Sequence, residues 1–555
     1  MIRNSKQVTQ SIFQIFFSKI FLIQQLKSLV NHHQISSLSF CLIDEDLENY
    51  FGLLNSSLEK CTDLTSLSFQ LEENDLESDQ SLVTLSKKIS KLQKLSQLKL
   101  KLKNTSLEGS DSLKALSKEL LKLSSLSSFS INLSENDVDS DALESLFKTI
   151  AKFSKLTKLS LKLNGVSVDS SNAQLLGKTI GMLPSLQILK LNLNSTFDDN
   201  EGLPKLLTGL TNCQSITSFY LDLGENQLAS EEIQKLGQDL NKLSNLDKLK
   251  LSINQCSLDS NDIQQLGSSI AKCKKLTSLD LNLDENKLNP EGARAFGQEI
   301  FNCHNLVNLK LSLSKCDIGN EGATQVIETI SNLKNMVTLD LNFDESQISD
   351  EGIKGIGISI AYCINLRNLS LQLKKNNINA AAAENLGKNL SKCKNLTSIH
   401  LGLKQNKLSS DGVQLLTKEL SNSLILENLS LNLVQNDIQF EGMKNIIQNL
   451  QNCKNLSHLN LNLKNNNIGE QGIEYLAQEL SKFQLLKSLS FNYKQNGNLQ
   501  ENSISKLGSS IKNCSSLQYL DINLEKNNLK CKSKKAAYRD YFKSKSLFNI
   551  NISYS

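Results

Sequence analysis

The sequence predicts an α/β solenoid of about 17 repeats, a horseshoe with a parallel β-sheet on its concave face and α-helices on its convex face. Three observations predict it. An apolar residue opens each repeat, and these residues stand 30 apart from Leu126 through Leu486. Inside each repeat the apolar spacing changes from alternation to steps of three and four. Breakers of regular structure are scarce, with only 3 Pro among 555 residues.

Residues 276–305 show the unit. Leu279, Leu281 and Leu283 alternate with polar residues, the pattern of a strand with one buried face. Asn289, Pro290 and Glu291 then open a helix, since Pro is tolerated in a first turn. Ala293, Phe296, Ile300 and Cys303 follow on one helical face. A single unit cannot cover its own apolar side, so neighbours must stack. The register opens at Ile35, runs through Leu64, Leu95 and Leu126, and reaches its last repeat at Leu517.

Two further positions recur. Asn74, Asn136, Asn226, Asn286, Asn376, Asn406, Asn436, Asn466, Asn496 and Asn527 share one place after the strand, taken by Cys256 and Cys316 in two repeats. An Asn amide there can bond backbone groups of its own and the adjacent turn. Gly177, Gly237, Gly267, Gly297, Gly357 and Gly387 recur inside the helix, where each costs about 1 kcal/mol against Ala. A cost repeated at one position predicts close packing of one helix backbone against the next.

The pattern LxxLxLxLxxNxLxxxG resembles the ribonuclease-inhibitor-like class of leucine-rich repeat proteins, over about Ile35 to Leu529. The family pattern is LxxLxLxxNxL, so this chain carries two additional residues before the Asn. They predict a longer strand and a wider concave surface. Asn or Cys at the recurring position is what the resemblance implies.

Three segments follow from the register. Residues 1–34 read as an N-terminal capping helix, 35–529 as the leucine-rich repeat solenoid, and 530–555 as a basic C-terminal cap or tail. The apolar, acid-free first segment also admits a transit peptide; Lys19 and the lack of a small-residue cleavage site argue against a signal peptide. Its stretch Ile12–Ile23 is too short to span a bilayer and contains Gln14 and Lys19. The tail interleaves Lys530, Lys532, Lys534, Lys535 and Arg539 with Tyr538, Tyr541 and Phe542, a composition that suits a cap helix with a solvated basic face or contact with anionic membrane or RNA.

The net charge of +4, from 61 basic and 57 acidic residues, demands neither nucleic acid nor membrane. Eight of the 12 Cys stand three residues before a repeat's first apolar residue, among them Cys213, Cys303 and Cys393. One shared place in the helix end reads as a small buried side chain rather than a disulfide framework, and hence as a reducing, cytoplasmic setting.

Chemistry was sought and no constellation converges. Gly177-Lys178-Thr179 has Asn172 where a phosphate loop needs its first Gly, and it lies within a repeat helix. His32, His33, His304, His400 and His458 lack metal-ligand spacing. Kinase signatures are absent. The expectation is a non-enzyme with no cofactor and no metal.

Binding then falls to the outward residues of the strands, a ladder of roughly 80 Å at 4.8 Å per strand. Its first half carries Lys99, Lys101, Lys103, Lys158, Lys162, Lys190, Lys248 and Lys250. Its middle carries Asp222, Asp280, Asp284, Asp340 and Asp344 around Lys310, and Tyr220 is a rare large aromatic. The last third is mostly neutral, with Asn428, Ser430 and Asn460. Tyr220, Asp222, Asp280, Asp284, Lys310, Asp340 and Asp344 are therefore the candidate partner-binding residues, since segregated charge favours a complementary protein. The expected function is a monomeric, non-catalytic scaffold for protein partners. Alternatives are a regulator of an enzyme, of the GTPase-activating or inhibitor type, and a binder of nucleic acid or anionic membrane.

Overall fold

The computed structural model describes residues 12–16, 35–41, 58, 61–74, 79–107, 111–197, 199–529 and 549–553. Two compact units emerge, one of residues 1–257 with 272–276, the other of 258–271 with 277–555. Both are built from one strand–turn–helix repeat, and the fold is an α/β solenoid of about 17 repeats.

In the first unit, five-residue strands such as Lys158–Lys162, Ile188–Asn192 and Ser218–Asp222 pair in parallel. Leu159, Leu189 and Phe219 stand in register and are buried, while Lys158, Lys162 and Lys190 are exposed. Helices such as Ser140–Ile150 and Ser170–Gly181 cover the buried side with one apolar face each. Asp139 and Asp169 cap their starts, accepting the N–H of Ala142 and of Asn172 at 2.8 Å.

The second unit repeats the design from Ser278–Asn282 to Tyr519–Asn523, with helices such as Asn289–Ile300 and Ala380–Leu390. Leu279, Leu281, Leu283, Ala293, Phe296 and Ile300 are all at most 1% exposed. Each such leucine contributes about 1.5–3 kcal/mol through burial, a gain that exists only because the next repeat covers it.

The strand is five residues long, as in Ser278–Asn282. Beyond it, Leu283 still donates to Ser312 O at 2.9 Å and Glu285 to Ser314 O at 2.9 Å, so pairing continues while the chain turns. Glu285 takes φ 58°, and residues at the same place in other repeats do likewise, among them Glu135, Glu225 and Gln435. In several repeats the residue that ends the strand braces this turn, although repeats ending in Ser252, Ser312, Gln372 and Gly402 take the same φ. Asn282 Oδ1 accepts the N–H of Asp284 at 3.0 Å, a side-chain-closed turn, and Asn132, Asn342 and Asn492 do the same two residues on.

The recurring Asn does bond both ways. Asn466 Nδ2 donates to Leu433 O at 2.8 Å and Leu463 O at 3.0 Å, and its Oδ1 accepts the N–H of Asn436 at 2.8 Å. Asn226 repeats this in the first unit with Leu193, Leu223 and Thr196. Cys256 and Cys316 supply a thiol donor at the same place, and Thr105, Thr196 and Ser346 a hydroxyl. At Gly177 and Gly387 the helix glycines let one helix backbone approach the next, whereas Gly267 and Gly357 face side chains of the neighbouring helix. A Cβ at Gly177 would lie 2.2 Å from Leu206 O, and one at Gly387 2.8 Å from Leu416 O, both on the neighbouring helix.

At the first segment the structure differs from the reading as a helix over 1–34. Within it, Ile12–Phe16 forms a strand, parallel to Ser37–Cys41 with Ile12 opposite Ser37. A short β-branched and aromatic run fits either element by periodicity alone. The rest of 1–34 lies outside the described residues. In the last segment, Asn549–Ser553 forms a strand parallel to Tyr519–Asn523, so strand pairing resumes beyond 529. Residues 530–548 lie outside the described residues.

Candidate partner-binding face

Each strand of five residues offers three outward positions, and the register stacks them into columns. In the second unit the central column reads Asp280, Lys310, Asp340, Ser370, His400 and Ser430 on consecutive strands. Lys310 Nζ lies 3.7 Å from Asp340 Oδ2, and both side chains remain open to water, at 53% and 32% exposure. Asp280, Lys310 and Asp340 thus form an acid–base–acid row. His400 belongs to the same column. Burial holds its imidazole below the ordinary histidine value, with Asp340 pulling the other way. The 30-residue period places His400 in the Asp280 column, so its position on this face could have been read from the sequence.

Asp284 and Asp344 sit elsewhere. They follow the strand, in the turn. Asp284 Oδ1 accepts Ser312 Oγ–H at 2.6 Å and Ser314 N–H at 2.7 Å, both from the next repeat. Asp344 Oδ1 accepts Lys374 N–H at 2.7 Å. Burial pushes both carboxyls above the ordinary aspartate value, against those hydrogen bonds. These two side chains clamp one turn to the next, which leaves Asp280, Lys310 and Asp340 as the more open part of the acidic stretch.

In the first unit, Tyr220 and Asp222 stand among lysines. Lys190 Nζ lies over the Tyr220 ring, 4.5 Å from its centre. Asp222 accepts Gly224 N–H and Asn192 Nδ2–H, each at 3.2 Å, so it too closes a turn. A groove of about 340 Å³ is lined by Lys162, Lys190, Tyr220 and Asp222. It shares Ser160, Lys162 and Lys190 with a second groove of about 480 Å³ that reaches Lys158, Lys101, Lys99 and Glu72. Lys101 is tied to Glu72, 3.6 Å away, and donates to Gln70 at 2.8 Å. Burial, then Lys101 and Lys162, hold the Lys99 ammonium below the ordinary lysine value.

The helix-end cysteines lie against backbone carbonyls. Cys213 Sγ is 3.6 Å from Leu183 O, and Cys393 Sγ is 3.8 Å from Ile360 O. Burial pushes the thiols of Cys393, Cys453 and Cys514 up to about 11 and that of Cys363 to about 12, which keeps them un-ionised and poor nucleophiles. Among the described residues no helix is long and apolar enough to cross a membrane, and no group of three His, Cys, Asp or Glu could hold a metal ion.

Among solved structures, the chain is similar to the crystal structure of the Rad7–Elc1 complex in yeast, with 18% identity, 71% of this chain and 86% of that chain covered, and a TM-score of 0.40. No protein-family model matches the chain, and neither does any curated protein. The repeating strand–turn–helix unit with its buried Asn is that of an α/β solenoid.

Proposed function

We propose that this protein is a non-catalytic scaffold that binds protein partners through the outward columns of its strands. One observation carries the reading. The buried strand columns are apolar in repeat after repeat, whereas the central outward column changes charge from strand to strand, as in Asp280, Lys310 and Asp340. Side chains spent on the fold are uniform; those left open vary in a way that suits a complementary surface. The two additional residues per repeat depart from the ribonuclease-inhibitor-like pattern, yet the Asn and Cys column agrees with it, and membership of that subclass belongs to the same proposal. So do a monomeric state and a reducing, cytoplasmic setting, the latter supported by thiols buried in one helix-end column.

The test is crosslinking of the intact chain to neighbours in its native cell, followed by charge reversal at Asp280, Asp340 and Lys310. A direct partner lost in D280K/D340K and kept in the unchanged chain is the expected result. Partners that bind all variants alike would remove the acidic row from the interface, and recovery of no direct partner would sink the scaffold reading.

A further inference from the structure

We infer that the lysine groove of the first unit is a seat for a short acidic segment of a partner protein, laid in extended form across the strands. The inference rests on the scaffold reading and names the chemistry of one ligand. Lys99, Lys158, Lys162 and Lys190 project from the outward face of three strands, Gln97–Lys101, Lys158–Lys162 and Ile188–Asn192. They line two grooves that are continuous through Ser160, Lys162 and Lys190. Among the described residues, Lys158, Lys162 and Lys190 have no carboxylate within 4.0 Å. Like charges so gathered repel one another, and after burial the neighbouring Lys101 and Lys162 add to the lowered basicity of Lys99. An anion seated among them relieves that repulsion.

Spacing sets the size of the guest. Lys99 and Lys190 are three strands apart, about 14 Å at 4.8 Å per strand, which an extended peptide crosses in about four to five residues. Glu72 stands at one end of the joined grooves, and the other end runs past Asp222 to Lys250 on the adjoining strand, so an acidic run is bounded by like charge at the Glu72 end. Between the lysines, Ser128, Ser130 and Ser160 add hydroxyl donors suited to carboxylates. Nucleic acid is disfavoured by the same surface. Tyr220 is the large aromatic in these grooves with an open face, and Lys190 already covers it. Stacking of bases therefore lacks a platform.

The experiment is fluorescence anisotropy on the intact chain with labelled hexaglutamate, against labelled hexalysine and a six-nucleotide oligothymidine. Hexaglutamate should bind, weaken as salt is raised, and weaken at least tenfold in K162E, while K162R retains binding and K464E in the second unit leaves it unchanged. Y220L, which removes the ring beneath Lys190, should cost a few-fold. Equal hexaglutamate binding by K162E and the unchanged chain, or none at low salt, overturns the inference. So does oligothymidine binding that exceeds hexaglutamate and depends on Lys162. A cellular partner whose binding survives K99E/K162E overturns the acidic-segment inference alone and leaves the scaffold reading standing; hexaglutamate binding that needs Lys162 in a chain with no protein partner overturns the scaffold reading and with it the assignment of the groove to a partner's segment.

Discussion

The outward faces of the two units stand on the same backbone and carry opposite chemistry. In the first, Lys158, Lys162 and Lys190 crowd one another. In the second, Lys310 is set between Asp280 and Asp340 on adjoining strands. Behind both faces stand the same apolar strand columns and recurring turn amides. The difference teaches that two layers of information share this sequence. One, periodic, builds the repeat. The other, aperiodic, occupies only the open columns and is free to differ between units.

That separation can be broken or sharpened by experiment. The largest effect should come from the shared layer. Asn226→Ala and Asn466→Ala each remove a donor from three carbonyls and the acceptor of two N–H groups, a loss of about 2–4 kcal/mol. Hydrogen exchange should show the loss within the neighbouring repeats and of similar size in both units; clearly unequal costs would break the equivalence of the two backbones.

A smaller effect separates the turns. Asp284 and Asp344 occupy a column that, over Ser134 to Asn254 in the first unit, holds only Ser, Asn and Gly. Burial raises the Asp284 carboxyl above its ordinary 3.8. A carboxyl raised in the folded state binds its proton more tightly there, so its contribution to stability falls as pH rises from 3.8 through the folded value. Asp284→Asn keeps an acceptor for Ser312 and Ser314 without the charge. Its melting temperature should lie slightly above that of the unchanged chain at pH 7, and the gap should shrink as the pH falls toward 3.8. A gap that widens on acidification would show that the charge itself holds the turn.

The smallest effect concerns the open columns. Lys310→Ala removes a solvent-exposed attraction and should lower stability by at most about 0.5 kcal/mol, whereas Lys99→Ala removes a repulsion and should raise it by no more than that. Chemical denaturation of both variants reads the signs. Two losses of equal size would mean that the lysine cluster is not in mutual repulsion.

Much of this was legible beforehand, because a period repeated along the chain averages out local ambiguity. The buried strand of Leu279 and Leu281, the helix face of Phe296 and Ile300, the two-way bonding of Asn286 and its equivalents, and the tight packing at Gly177 all follow from position in the repeat. What escaped had no such support. Ile12–Phe16 stands outside the clear register, and a short apolar run does not choose between strand and helix. The five-residue strand length was hidden because the apolar alternation runs on through Leu283, which still pairs with the next repeat while the chain already turns. Asp284 read as open because its partners, Ser312 and Ser314, lie a full repeat away. Of the seven candidate residues, Asp284, Asp344 and Asp222 prove to be engaged in turns, while Tyr220 is engaged with Lys190.

The two-way Asn bond has one more consequence. Asn466 reaches back to Leu433 and receives from Asn436, and the same offsets recur at Asn496, so each partner is met at a fixed interval along the chain. Excising or duplicating thirty codons in the uniform stretch would return every donor to an equivalent acceptor. Recombination between neighbouring copies of the repeat would therefore alter the length of the strand face while keeping its bonding pattern, and the open columns could be reshuffled as whole cards rather than one residue at a time.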